Sequence, residues 1–285
     1  MDYMPIILIG APRSGTNMLR DILTSLDNFA TWPCDEINYI WRHGNVSYPS
    51  DEMSINHATP LIRGYIQQQF SQISERYSAY YIVEKTCANS LRVPFVNSIV
   101  PNAKYIFIYR DGIDVTGSAK ERWTADLDFS YLLEKIKFVP KPDLIYYGFR
   151  YLWARIYRLF STEKRLAFWG PALDDMQFLF KHHTLTEVCA LQWQRCVDRS
   201  ERAFSSMPAD KVVRVRYEEF VREPVKELSR IIRFIGLDIQ PSKLVQAVDG
   251  VSSRSVGKGR KALGTDEVAN LEALIGNTLK HYDYL

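Results

Sequence analysis

Residues 6–23, Ile-Ile-Leu-Ile-Gly-Ala-Pro-Arg-Ser-Gly-Thr-Asn-Met-Leu-Arg-Asp-Ile-Leu, constrain the fold more than any other stretch of the chain. Ile6 to Ile9 read as a buried strand that Gly10 ends, and Leu19, Ile22, Leu23 and Leu26 recur at the spacing of one helix face. The short loop between them carries two glycines, so the first N–H groups of the helix are left unpaired and point into the loop. With the positive end of the helix dipole behind them, they form a concavity suited to a tetrahedral oxyanion. Arg13, Ser14 and Thr16 add charge and hydroxyl donors to it.

Set beside the nucleotide-binding pattern G-x-x-x-x-G-K-[ST], Gly10 and Gly15 keep the spacing. Thr16, however, stands in place of the lysine, and Asn17 in place of the magnesium-binding hydroxyl. The cradle is there without its magnesium-nucleotide parts, and no metal is expected. A phosphate-like ligand fits better than magnesium-ATP.

Further strands are expected at Phe29-Ala-Thr31, Tyr80–Val83, Lys104–Tyr109 and Lys211–Arg216, with helices between them. This alternation predicts an α/β fold of three layers, a mainly parallel sheet flanked by helices, with its site beyond the C-terminal strand ends. Three of those ends deliver Arg13, Lys85 and Arg110 to one edge. Residues 43–60 are polar and turn-rich and read as a mobile surface segment. Residues 123–184 break the rhythm with many aromatics and interleaved arginines. They read as a helical insertion whose aromatics pack on the sheet while the arginines snorkel, a few residues lining an acceptor pocket; a membrane-surface helix is the other reading. Residues 252–261 read as a flexible basic loop, and the whole chain, 1–285, as a single domain.

Composition limits the class. A net charge of +3 gives no basis for a nucleic-acid partner, and no apolar run approaches the roughly 20 residues that cross a bilayer. The N-terminus lacks a basic, apolar leader, and the four cysteines form no C-x-x-C pair. Reduced thiols in a cytoplasmic, bacterial-style enzyme are therefore expected.

Four motifs, in this order, resemble the sulfotransferases that use 3′-phosphoadenosine 5′-phosphosulfate (PAPS). They are Gly10-Ala-Pro-Arg-Ser-Gly-Thr16, Glu84-Lys85-Thr86, Arg110-Asp-Gly with Ser118, and Arg216-Tyr-Glu-Glu-Phe-Val-Arg-Glu-Pro224 followed by Phe234-Ile-Gly-Leu237. The resemblance covers most of the chain and is nearest the tyrosylprotein and bacterial branch, since Arg13 stands where the cytosolic branch has lysine. It implies a P-loop-like fold in which Arg13, Ser14, Gly15, Thr16 and Asn17 hold the 5′-phosphosulfate. Arg110 and Ser118 would bind the 3′-phosphate, and Tyr217 would lie near the nucleotide. Gly257, Lys258, Gly259 and Arg260, within a segment of about 250–264, would close over it. Lys85 would neutralise the bridging oxygen as it leaves. Glu36 would be the base for an acceptor hydroxyl or amine, with Asp35, His43, His182 and His183 as competing choices. Two positions depart from the family: Asn17 replaces a threonine or serine, and Cys87 a proline.

Two other classes keep part of the pattern. A P-loop kinase-like phosphotransferase needs a phosphate-binding lysine, and a magnesium carboxylate at a strand end where Arg110 stands. A non-catalytic nucleotide-binding sensor dispenses with Lys85 and Glu36. The acceptor stays open among tyrosyl peptide, sugar, lipid alcohol and small metabolite, and oligomeric state is not legible in the pattern.

Overall fold

The structure is a computed structural model that describes residues 3–124, 139–144, 146–148 and 169–285. Among these residues, five strands form one parallel sheet: β1 (Met4–Ile9), β2 (Phe29–Ala30), β3 (Tyr81–Lys85), β4 (Lys104–Tyr109) and β5 (Val212–Arg216), in the order β2-β3-β1-β4-β5. The helices that bear on the site are numbered in chain order: α1 (Thr16–Thr24), α2 (Pro60–Tyr77), α3 (Val93–Ile99), α4 (Gly112–Thr124), α5 (Leu185–Phe204), α6 (Tyr217–Arg222), α7 (Pro224–Ile235), α8 (Lys258–Ala262) and α9 (Thr265–His281).

Side chains alternate across a strand, and here both faces of the sheet are covered. Ile6 and Leu8, with Ile106, Ile108 and Val215, pack under α1 and α7. Ile7 and Ile9, with Tyr105 and Phe107, pack against α2, α3, α5 and α9. This is the expected three-layer sandwich. Register pairs Leu8 with Lys85, Ile9 with Phe107 and Tyr109 with Arg216, so the C-terminal ends of four strands finish together. The two outer strands differ: β2 has only two residues, whereas on β5 Arg230 donates to the carbonyl of Arg214 at 2.8 Å and the Arg214 guanidinium pairs with Glu201. Among the described residues, no helix is long and apolar enough to cross a membrane.

Residues 43–60 are only in part the surface segment that their polarity suggests. Ser50, Asp51, Glu52 and Met53 are buried. Asp51 accepts from Arg42 at 2.9 Å, Asn38 at 3.1 Å and Arg92 at 3.3 Å, while its second oxygen accepts from the backbone of Ala172 at 2.8 Å. Polar residues here are interior partners, which composition alone does not distinguish from solvated ones. Most of the aromatic insertion, including Phe129, Trp153 and Arg155, lies outside the described residues.

Glu84 lies beside this network, fully buried, and accepts from Asn89 at 3.0 Å. Burial pushes its carboxyl up to about 7, against the hydrogen bonds of Thr86, Trp41 and Asn89 and the charge of Arg92. Because its folded value is raised, the native state holds this proton more tightly than the unfolded chain does. Stability from this group is full below about pH 4.5 and is lost as pH rises towards 7, by at most about 3 kcal/mol. Glu84→Gln is expected to flatten the melting temperature between pH 5 and 7.5 relative to wild type. Parallel curves for the two proteins would refute it.

Candidate active site

The loop leaving β1 turns sharply into α1. Arg13 and Gly15 both have positive φ, 70° and 91°. A Cβ on Gly15 would come within 2.5 Å of the Tyr217 ring, so only glycine lets α6 close the floor of the loop. No side chain caps the N-terminus of α1, and no acidic residue occupies its first turn. The Ser14 hydroxyl is buried without a hydrogen-bond partner, as is Nε of Arg110. Buried polar groups are normally paired. An uncapped helix start beside two orphaned donors is what an anionic ligand would satisfy.

The helix start and Arg110 face a cleft of about 450 Å³ at the strand ends, lined by Arg13, Thr16, Asn17, Arg110 and Tyr217 on the loop side. Arg13 donates to Ser118 at 2.9 Å, and Arg110 donates to the carbonyl of Arg13 at 3.3 Å. The Arg110 guanidinium lies over the Tyr217 ring, 4.4 Å from its centre. Trp193 holds the Arg110 carbonyl at 3.2 Å. Burial lowers the pKa of Arg13, and the charges of Arg122 and Arg110 lower it further. The cleft thus concentrates positive charge.

Opposite stands a carboxylate–lysine group. Lys85 Nζ donates to Asp35 and to Glu36, each at 3.1 Å. Burial alone would push the ammonium's pKa down, but the Glu36 and Asp35 carboxylates outweigh it and the net shift is upward, so Lys85 is a cation. Asp35 also accepts from Asn17 at 2.7 Å and Arg20 at 3.2 Å. Glu36 has a lighter set, Lys85 and a long contact of 3.4 Å from the Cys87 amide. Of the two carboxylates, Glu36 accepts from fewer of these side chains. Burial and the neighbouring Glu36 push the Cys87 thiol well up, so it stays protonated and is no nucleophile.

The structure therefore gathers Arg13, Ser14, Gly15, Thr16, Asn17, Glu36, Lys85, Arg110, Ser118 and Tyr217 at one strand edge. Gly257, Lys258, Gly259 and Arg260 are not among the residues that line this cleft: Gly257 caps a short helix, Lys258–Ala262, which stands in place of the expected flexible loop, Lys258 is at the surface, and Arg260 turns to Glu272 and Asp111. His43 pairs with Asp143 at 2.8 Å, His183 with Glu187 at 3.6 Å, and His182 packs on Phe178; none of the three lines the cleft. Sequence reading missed the branching of Asp35, the role of Arg20, and Ser255 in the cleft wall, because each depends on contacts distant in the chain.

The family model of the sulfotransferase domain matches residues 4–267. No curated protein matches the chain by sequence. Among solved structures, the sulfotransferase domain from the curacin biosynthetic pathway is similar at TM-score 0.56 and 14% identity, covering 96% of this chain and 98% of that one. Sulfotransferase STF9 from Mycobacterium avium is similar at TM-score 0.55 and 13% identity, covering 100% of this chain and 78% of that one. Mouse sulfotransferase SULT7A1, complexed with PAP, is similar at TM-score 0.51 and 13% identity, over 97% of this chain and 84% of that one. At such identities these structures speak to the fold, while the family match spans almost the whole chain. This chain belongs to the sulfotransferase domain family.

Proposed function

We propose that this sulfotransferase takes its sulfuryl group from PAPS and passes it to an acceptor hydroxyl or amine by in-line displacement, leaving 3′,5′-adenosine bisphosphate (PAP). The observation that carries this reading is the Lys85–Glu36 pair at 3.1 Å, set in the same cleft as an uncapped helix start with orphaned donors. The PAP complex of the mouse structure supports the choice of donor. The cytoplasm as setting rests on composition and on four cysteines that form no C-x-x-C pair.

When bound, the donor supplies an electrophilic sulfur and a phosphate leaving group; positioning and charge stabilisation fall to the protein. Arg13, Ser14 and the N–H groups of Gly15, Thr16 and Asn17 hold the 5′-phosphosulfate. Arg110 and Ser118 take the 3′-phosphate, and Tyr217 flanks the nucleotide. Glu36 accepts the proton of the attacking acceptor group. Its ion pair with Lys85 weakens as that proton arrives, so the ammonium becomes available to the departing oxygen at the moment charge builds there. Base and electrophile are thereby coupled through one short contact.

PAP in hundredfold excess over its dissociation constant should stabilise the protein by about 2.7 kcal/mol. For a chain of this size that is a rise in melting temperature of roughly 5–10 °C. Arg110→Ala is expected to remove most of it. A rise with magnesium-ATP and none with PAP would transfer the protein to the phosphotransferase reading; PAP binding with no turnover on any acceptor would favour a sensor.

A further inference from the structure

We infer that Asp114, which does not line the cleft, is a positioning residue that joins docking of residues 255–262 to the setting of Arg110. The inference rests on the reading of Arg110 as the 3′-phosphate ligand. Asp114 lies in the first turn of α4 and is 1% exposed. One carboxylate oxygen accepts from Arg110 at 3.0 Å and from the Gly257 amide at 2.6 Å; the other accepts from the Arg260 amide at 3.0 Å. A single buried anion is thus shared between a strand-end arginine and the backbone of a segment more than 140 residues further on.

The seat of that segment is backbone on backbone. A Cβ on Gly259 would lie 2.0 Å from the Asp114 carbonyl, and a Cβ on Gly117 would lie 2.5 Å from the Gly259 carbonyl. Neither position tolerates a side chain while the segment is docked. The segment returns a contact to Arg110, whose guanidinium donates to the Ser255 carbonyl. The Ser255 hydroxyl bonds the hydroxyl of Tyr217, and Ser255 forms part of the cleft wall.

Arg110 is therefore held by Asp114 on one side and by the segment on the other, and Asp114 holds both. Undocking the segment deprives Arg110 of an acceptor and leaves a buried carboxylate short of two donors. Charge-assisted contacts of this kind are shorter and roughly twice as strong as neutral ones. Linkage makes the coupling reciprocal: a ligand that fixes Arg110 tightens the segment, and a docked segment pre-orients Arg110.

The test compares PAP with adenosine 5′-phosphosulfate, which lacks the 3′-phosphate, by calorimetric titration, together with amide hydrogen exchange. In Asp114→Asn, affinity for PAP is expected to fall by about tenfold or more, within the range of coupling between sites. Affinity for adenosine 5′-phosphosulfate should change by less than about twofold. Without ligand, the amides of residues 257–260 should exchange faster than in wild type. Gly259→Ala, which leaves every charge in place and only lifts the segment, should give the same pattern and keeps the test alive if the first variant folds poorly. Equal losses for both ligands, or unchanged exchange at 257–260, would overturn the coupling. If Arg110→Ala itself leaves the preference for PAP intact, the 3′-phosphate reading of Arg110 fails instead, while the exchange data still judge the latch.

Discussion

Lys85→Ala is expected to lower turnover by roughly 10²–10³-fold, the usual cost of removing one charge-stabilising donor from a shielded site. PAP affinity should change only a few-fold, because the phosphate cradle is built by the β1–α1 loop and not by β3. The size of the effect follows from placement. The Lys85 side chain is 2% exposed, and its charge is fixed by two carboxylates at 3.1 Å. Arg13 and Arg110 are taken up by the 5′-phosphosulfate and the 3′-phosphate in this reading, and are not free to replace Lys85. Single-turnover rates with any acceptor the wild type uses, measured beside PAP titration, decide the matter. A variant within threefold of wild type would remove Lys85 from the chemistry.

The second large effect is on stability. Asp51→Ala leaves Arg42 and Arg92, whose side chains are 3% and 0% exposed, buried together without their anion. At present the charges of Arg92 and Arg42 overcome burial and hold the Asp51 carboxyl below its usual range. Breaking a buried pair by removing one partner costs about 3–5 kcal/mol. At roughly 2–4 °C per kcal/mol for a chain of this size, the melting temperature should drop on the order of 10 °C. Asp51→Asn, which keeps the shape and loses the charge, should fall between the two proteins. Because its folded pKa is depressed, Asp51 contributes fully above its unfolded value and loses that contribution only in strong acid. The penalty of the alanine variant should accordingly shrink below about pH 4. A drop under 2 °C at neutral pH would show that the network is dispensable.

The sheet and the loop were legible because they rest on local patterns: a run of isoleucines, two glycines at fixed spacing, and charged residues just past each strand. Lys85 and Arg110 were found in this way, since parallel register converts strand ends into neighbours. The carboxylates beside Lys85 were harder. Asp35 and Glu36 adjoin in sequence, and the donors that reach Asp35 from α1 are not visible there. Residues 43–60 misled for a related reason. Their serines, aspartate and glutamate carry the composition of a surface turn, and the guanidiniums that draw them inside come from Arg42, Arg92, Arg195 and Arg199. Charge complementarity across long sequence separations has no local signature. Asp114 left a faint one, an acid four residues after Arg110 in the first turn of a helix, but its second set of partners lies beyond residue 255.

The margins of the sheet have a consequence for how the chain behaves in company. An open parallel sheet ends in unpaired backbone, which invites strand addition from another molecule. Here one margin is two residues long, too short to template a neighbour. The other carries Arg214 and Arg216, with Arg230 already on one of its carbonyls. Among the described residues, extension of the sheet by strand addition is therefore disfavoured at both margins.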